Sequence, residues 1–219
     1  MRILGLSSAT KIVSLGLADE TRVLVETTVA GMNSERIMFY VQEAGITPEQ
    51  IDGVAVAVGP GSYAGLRGGL AAAKSLAQTL NVPLVGVPTL DAIAYNLVAV
   101  EGTIAVCLDA RHDEYNFALF GAADGRLKRL TADLVIKLDR IKELLGKITG
   151  EMHFIGSGLG TGDWGLGENI KVADELQTLP YGINVARLGL LKLKAGEQDD
   201  PLKLVPNYSH QPNFREYGV

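Results

Sequence analysis

Val58–Lys74 reads VGPGSYAGLRGGLAAAK, a glycine-dense turn that runs straight into a helix of very small residues. Gly59, Gly61 and Gly65 surround Ser62, Tyr63 and Ala64, opening backbone conformations closed to other residues. Beyond Arg67, the residues Gly68, Gly69, Ala71, Ala72 and Ala73 leave little side-chain bulk on the helix. A glycine inside a helix costs roughly 1 kcal/mol relative to alanine, so the adjacent pair predicts that something approaches this helix closely. Two readings follow. The turn's amides can hold a phosphate at the helix N-terminus, or the bare helix can dock against another helix, from this chain or a partner.

The flanks of this stretch set the fold class. Gly53–Val58 is apolar on both faces, as in a central parallel strand, and Pro83–Val87 is a second strand after the helix ends near Leu80. Upstream, Arg2–Leu6, Ile12–Leu17 and Arg22–Val29 are strands separated by polar turns, a β-meander. Ser34–Ala44 reads as a helix with Ile37, Met38 and Val41 on one face and Gly45 as its stop. Thr47-Pro48-Glu49-Gln50 is a capping box with proline at the first helical position. A further helix is expected over Thr89–Val98.

Downstream the pattern restarts. Thr103–Leu108, the polar turn Asp109–Asp113 and Glu114–Gly121 repeat the strand, turn and strand of Ile3–Leu17, with a boundary near Val100–Gly102. Thr131–Gly150 carries Leu134, Leu138, Ile141, Leu145 and Ile148 at helical steps and is expected to be one amphipathic helix. Met152–Gly156 reads as a strand entering the loop Ser157–Gly167, Asn184–Ala195 as a helix, and a proline-punctuated tail follows from Asp200. The expectation is an α/β chain of two related lobes, 1–101 and 102–219, with the last helix packing back on the first lobe.

Composition narrows the chemistry. The 219 residues are 47% hydrophobic and 21% charged, with a net charge of −5 and no long basic run, which disfavours a direct nucleic-acid surface. The one cysteine, Cys107, sits in an apolar run and reads as a buried, inert thiol. The start, MRILGLSS, lacks the features of a signal peptide, and no apolar run reaches the ~20 residues of a membrane span; a cytoplasmic setting is expected.

The glycine turn fits neither phosphate motif. Gly65 is followed by Leu66 and Arg67, not Lys-Ser/Thr, and Ala64 stands where a dinucleotide fingerprint needs its third glycine. Ser62 is no nucleophile elbow, since Tyr63-Ala64 follows it, and is expected at or near the helix N-cap. His112, His153 and His210 have no ligand spacing, so no metal site is expected. Asp109, Arg111, Asp113 and Glu114 cluster in one turn, either as a solvated hairpin or as groups around a magnesium nucleotide. The matching turn of the first half offers only Ser7, Ser8 and Thr10, with no carboxylate to manage metal charge.

Gly59-Pro60-Gly61-Ser62-Tyr63-Ala64-Gly65-Leu66-Arg67, then Gly69-Leu70-Ala71-x-Ala73-Lys74, resembles the signature of the bacterial TsaB (YeaZ) family. Val82–Val87, Ser34-Glu35-Arg36, Leu108-Asp109-Ala110-Arg111 and Ile155-Gly156-Ser157-Gly158 fit the same resemblance, strongest from Asp52 to Ala94. It implies an actin-like, Hsp70-like (ASKHA) fold, a duplicated ribonuclease-H-like α/β architecture in two lobes. It also implies a non-catalytic partner of TsaD, acting with the ATPase TsaE in threonylcarbamoyladenosine modification of tRNA. No cofactor would be intrinsic; ATP, magnesium and zinc or iron would belong to the partner subunits, and tRNA would be met only through the complex. A homodimer is an expected form of the chain alone, with no membrane contact.

The resemblance assigns the partner interface to Ser34, Ile37, Met38, Val41, Gly68, Gly69, Ala72 and Ala73. It makes Gly59, Pro60, Gly61, Ser62, Gly65 and Arg67 a signature loop, and leaves Asp109, Arg111, Gly156 and Gly158 as a candidate nucleotide cleft. The sequence departs from the family twice. Ser7-Ser8-Ala9 replaces Asp-Thr-Ser, which removes a carboxylate from the cleft, and Asn33 replaces the histidine before Ser-Glu-Arg. The alternatives are an ASKHA-type small-molecule kinase or ATPase, which that change disfavours, and a metal-dependent peptidase, which lacks a histidine pair.

Overall fold

The computed structural model describes residues 1–31, 34–156 and 170–209. Its first three strands are the apolar runs between polar turns: β1 (Ile3–Ser7), β2 (Ile12–Ala18) and β3 (Val23–Ala30). They pair antiparallel, Ser7 opposite Ser14 and Ile12 opposite Ala30. A 3-10 turn, Ser34–Arg36, leads into α1 (Ile37–Glu43), and the capping box at Thr47 starts a second 3-10 turn at Pro48–Gln50. β4 (Gly53–Gly59), α2 (Tyr63–Leu80) and β5 (Leu84–Pro88) complete a parallel crossover. The sheet order is β3-β2-β1-β4-β5.

After α3 (Thr89–Ala94) and a 3-10 turn at Tyr95–Leu97, the second sheet begins. It contains β6 (Gly102–Arg111), β7 (Glu114–Ala123), β8 (Arg126–Arg129), β9 (Leu134–Lys137), β10 (Met152–Gly156) and β11 (Ile170–Val172), with α4 (Leu138–Leu145) between β9 and β10. Its order is β11-β10-β6-β7-β8, with β9 also on β7. Exchanging β1, β2, β3, β4 and β5 for β6, β7, β8, β10 and β11 reproduces both the order and the sense of every pairing. The hairpin repeat in the sequence is therefore a repeat of the whole sheet, and the chain has the duplicated ribonuclease-H-like, actin-like α/β fold.

α1 and α2 cover one face of the first sheet, around Leu4, Leu6, Val13, Leu15, Val54 and Val56. The last helix, α5 (Gly182–Lys194), covers the other face through Val185, Ala186 and Leu190. It lies almost backbone to backbone on β1 and β2: a Cβ at Gly5 would overlap the Gly182 carbonyl, and one at Gly16 would overlap the Ile183 amide. Its exposed amides are met from the sheet, Gly182 N–H by Ser14 Oγ at 2.8 Å and Ile183 N–H by Glu26 Oε2 at 2.6 Å. α3 leans the other way, with Leu90, Ile93 and Ala94 packed on Ile104, Val106, Phe120 and Ile155 of the second sheet.

The structure corrects the single helix expected over Thr131–Gly150. Leu134–Lys137 pairs antiparallel with Glu114–Phe117 as β9, and only Leu138–Leu145 is helical. Alternate residues of LVIK are half-buried and exposed, the two-residue period of a strand, and Val135 and Ile136 are β-branched. β8 escapes a hydrophobic reading because its sequence is RLKR, a charged edge strand of the kind that resists further pairing.

Candidate partner-binding face and signature loop

The signature loop follows directly from the end of β4. Gly59 holds a positive φ of 121° and precedes a cis peptide to Pro60. Ser62 is the N-cap of α2, its Oγ accepting from Gly65 N–H at 3.3 Å. Ser62 N–H in turn donates to the Ala9 carbonyl at 2.7 Å, and Ser8 Oγ donates to the Gly65 carbonyl at 2.7 Å. The loop is thus engaged by the β1–β2 turn of its own chain. Arg67 stands on the exposed first turn of α2 with its guanidinium 4.5 Å from the Tyr63 ring centroid.

The small residues of α2 serve the same contact. A Cβ at Gly65 would overlap the Ser8 carbonyl oxygen, one at Gly69 the Ser8 hydroxyl, and one at Gly68 the Ser34 side chain. The body that approaches the helix is the chain itself. Of the eight residues assigned to a partner interface, Ile37, Gly69 and Ala73 are buried within the lobe as core positions, and Val41, also buried, lies at the floor of a groove between α1 and α2. Ser34, Gly68 and Ala72 are half-buried, and Met38 is the one exposed member, at 48%. Helical geometry explains the split. From Ile37, steps of three and four residues reach Tyr40 and Val41, both buried, which turns Met38 and Phe39 outward.

That outward face borders a groove of which the sequence reading named Met38 and Val41 but not Phe39, Gln42, Ile46, Leu76 or Leu80. Met38, Phe39, Gln42, Ile46, Leu76 and Leu80 line a groove of about 470 Å³ between α1, the Pro48–Gln50 turn and α2. Phe39 is 45% exposed, and Arg36 holds it, its guanidinium 4.7 Å from the Phe39 centroid. The Phe39 ring meets Tyr40 edge-on at 5.9 Å. Two large apolar side chains on the solvent face of one short helix were the available sequence signal.

Asp109 and Arg111 are exposed in the β6–β7 hairpin, where Asp109 Oδ1 accepts the Arg111 amide at 2.8 Å. His112 and Asp113 both have positive φ, 54° and 60°, as the two-residue hairpin turn requires. Gly156 ends β10 against the Cys107 carbonyl, and Gly158 lies outside the described residues, as do Asn33 and His210. Among the described residues no group of three or more His, Cys, Asp or Glu side chains could hold a metal ion. The Cys107 thiol is fully buried, and burial pushes its pKa well up. Away from the face, Arg129 joins Asp91 of α3 to Asp133, with Asp133 Oδ1 at 2.7 Å. Burial outweighs Arg129 and raises the Asp91 carboxyl above its ordinary value.

A family model described as TsaD, tRNA N6-adenosine threonylcarbamoyltransferase, matches residues 34–162. The chain belongs to that family. It is 29% identical to the tRNA threonylcarbamoyladenosine biosynthesis protein TsaB of Bacillus subtilis (strain 168), over 162 residues covering 71% of each chain. It is 28% identical to the protein of the same name from Escherichia coli (strain K12), over 166 residues and 72% of each. In structure it is similar to YeaZ from Pseudomonas aeruginosa, with a TM-score of 0.77 at 19% identity, covering 94% of this chain and 100% of that one. The family match begins at Ser34 and so contains α1, α2 and the groove between them. No helix among the described residues is long and apolar enough to cross a membrane.

Proposed function

We propose that this chain is a non-catalytic partner subunit of TsaD, acting with the ATPase TsaE in the formation of threonylcarbamoyladenosine on tRNA. The observation that carries this is the apolar groove beside Met38 and Phe39, an exposed docking face inside the segment that matches the TsaD family. The names of the B. subtilis and E. coli relatives support the pathway. On this reading TsaD seats a helix in the groove, and the chain meets tRNA only through the complex, in keeping with its net charge of −5. ATP, magnesium and zinc or iron then belong to the partner subunits, and the setting is the cytoplasm. Without TsaD, the same face pairs two copies of the chain.

The test is reconstitution with TsaD and TsaE from the same organism. The expected result is a one-to-one complex with TsaD by size exclusion with light scattering, and tRNA modification only when all three proteins are present. Met38→Asp, a change at an exposed position, is expected to abolish both while leaving the melting temperature unchanged. Full modification by TsaD and TsaE alone, or nucleotide turnover by this chain alone, would overturn the proposal.

A further inference from the structure

Beyond α5 the chain turns back and crosses the carboxyl ends of both sheets. Asp199 anchors the return on β5, its N–H donating to the Leu84 carbonyl and its Oδ2 accepting from Gly86 N–H, each at 2.8 Å. Leu204 packs against the first lobe's core. Asn207 N–H then donates to the Val58 carbonyl at 2.7 Å, and the Asn207 backbone closes over Gly59, where no Cβ would fit. Tyr208 packs against the apolar cluster on the α5 side of the first sheet and meets the Tyr63 ring at 4.8 Å between centroids. From there the segment reaches the second lobe twice. Asn207 Nδ2 lies 3.4 Å from Asp133 Oδ2, and Ser209 Oγ donates to Oδ1 of the buried Asn116 on β7. Asn116 is opposite Leu108, near the carboxyl end of β6.

We infer that residues 199–209 are a clasp that fixes the two lobes against each other and holds the signature loop in place. In open α/β sheets a ligand settles in the crevice outside the carboxyl ends of the strands. Here Asn207, Tyr208 and Ser209 occupy that position, between Val58 and Gly59 of β4 and Asn116 of β7. One end of the clasp touches the signature loop at Gly59 and the start of α2 at Tyr63, the other the second sheet, so loosening either end frees both. Asp133 extends the connection through Arg129 to Asp91 on α3, the helix that joins the halves.

Hydrogen exchange by mass spectrometry on the full chain tests this, with three variants. Tyr208→Ala removes the stacking contact, Asn207→Pro removes the donor to Val58, and Ser209→Ala cuts only the hydroxyl contact to the second lobe. In the first two, segments 58–66 and 114–118 are expected to exchange about tenfold faster together, while 138–145 keeps its wild-type rate. Ser209→Ala, too mild to unfold the chain, is expected to give a smaller rise in the same two segments. A rise confined to 199–209, or to one lobe, would show a passenger tail and overturn the inference. So would an equal rise throughout the chain in all three variants, which would make the segment ordinary core.

Discussion

Truncating Phe39 to alanine tests the proposed docking face directly, and its effect follows from exposure. Phe39 keeps 45% of its surface exposed in the isolated chain, although it sits on a helix whose other face is core. A phenylalanine covers about 200 Å² when fully buried, so about 90 Å² is left for a partner. At about 25 cal/mol per Å² that surface contributes about 2 kcal/mol, or about thirtyfold in Kd. The rest of the ring, about 110 Å², is covered within the chain, so the same truncation is expected to cost the fold about 2–3 kcal/mol as well. Arg36→Ala removes only the cation that orients the ring at 4.7 Å, worth about 0.5–1 kcal/mol, so its effect is a few-fold. Titration calorimetry against TsaD, paired with thermal melts, separates the two effects. Val23→Ala is the control, an equally exposed apolar residue on the distant edge strand β3. If Phe39→Ala, folded at the assay temperature, stays within about threefold of wild type, the partner does not cover this face and the groove argument fails.

Three further outcomes are expected. Gly65→Ala drives a methyl group into the Ser8 carbonyl oxygen and is expected to destabilise the chain by about 1–3 kcal/mol, read as a lowered denaturant midpoint at constant slope. Arg129→Ala leaves Asp91 and Asp133 facing each other half-buried. The loss is expected at about 2–3 kcal/mol in urea, below that of a fully buried pair because the site is partly open to water. Burial raises the Glu26 carboxyl above its ordinary 4.5, so the folded chain holds that proton more tightly than the unfolded chain does. Its contribution is complete below pH 4.5 and is lost as pH rises through the folded value, and Glu26→Gln is expected to flatten that part of a stability–pH curve.

β1, β2, β4 and β5 were legible because each is an apolar run closed by turn residues, and their burial on both faces left no competing register. The repeat was legible for the same reason, from one hairpin. What the sequence hides is the partner of each contact. Gly65 and Gly69 announce a close approach, but the approaching body is Ser8, 57 residues before Gly65. Met38 reads as a neighbour of Ile37 and Val41 in a list of apolar residues, yet the helical rotation pairs those two with Tyr40 and turns Met38 to solvent. β9 was hidden because Leu134, Leu138 and Ile141 happen to fall at helical steps across a strand–helix junction. The strap beyond Asp199 has almost no periodic signal, since its contacts are single hydrogen bonds and one ring stack rather than a repeating face.

The first-turn departure from the family now has a physical reading. Ser7, Ser8 and Ala9 are 1%, 3% and 2% exposed, so this turn faces inward rather than into open solvent. Ser8 bonds the Gly65 carbonyl and Ala9 receives the Ser62 amide, which makes the turn a seat for the start of α2. No described residue bonds the Ser7 hydroxyl. A carboxylate at position 7 would be a buried charge without a cation, a loss of several kcal/mol that serine avoids. A turn that held a nucleotide's metal would need that carboxylate and room in front of it. This one carries no such charge, and Ala9 belongs to the apolar cluster against which Tyr208 packs. The same three residues that weaken the case for nucleotide chemistry therefore strengthen the case for a rigid α2, the helix that forms one wall of the proposed partner groove through Leu76 and Leu80.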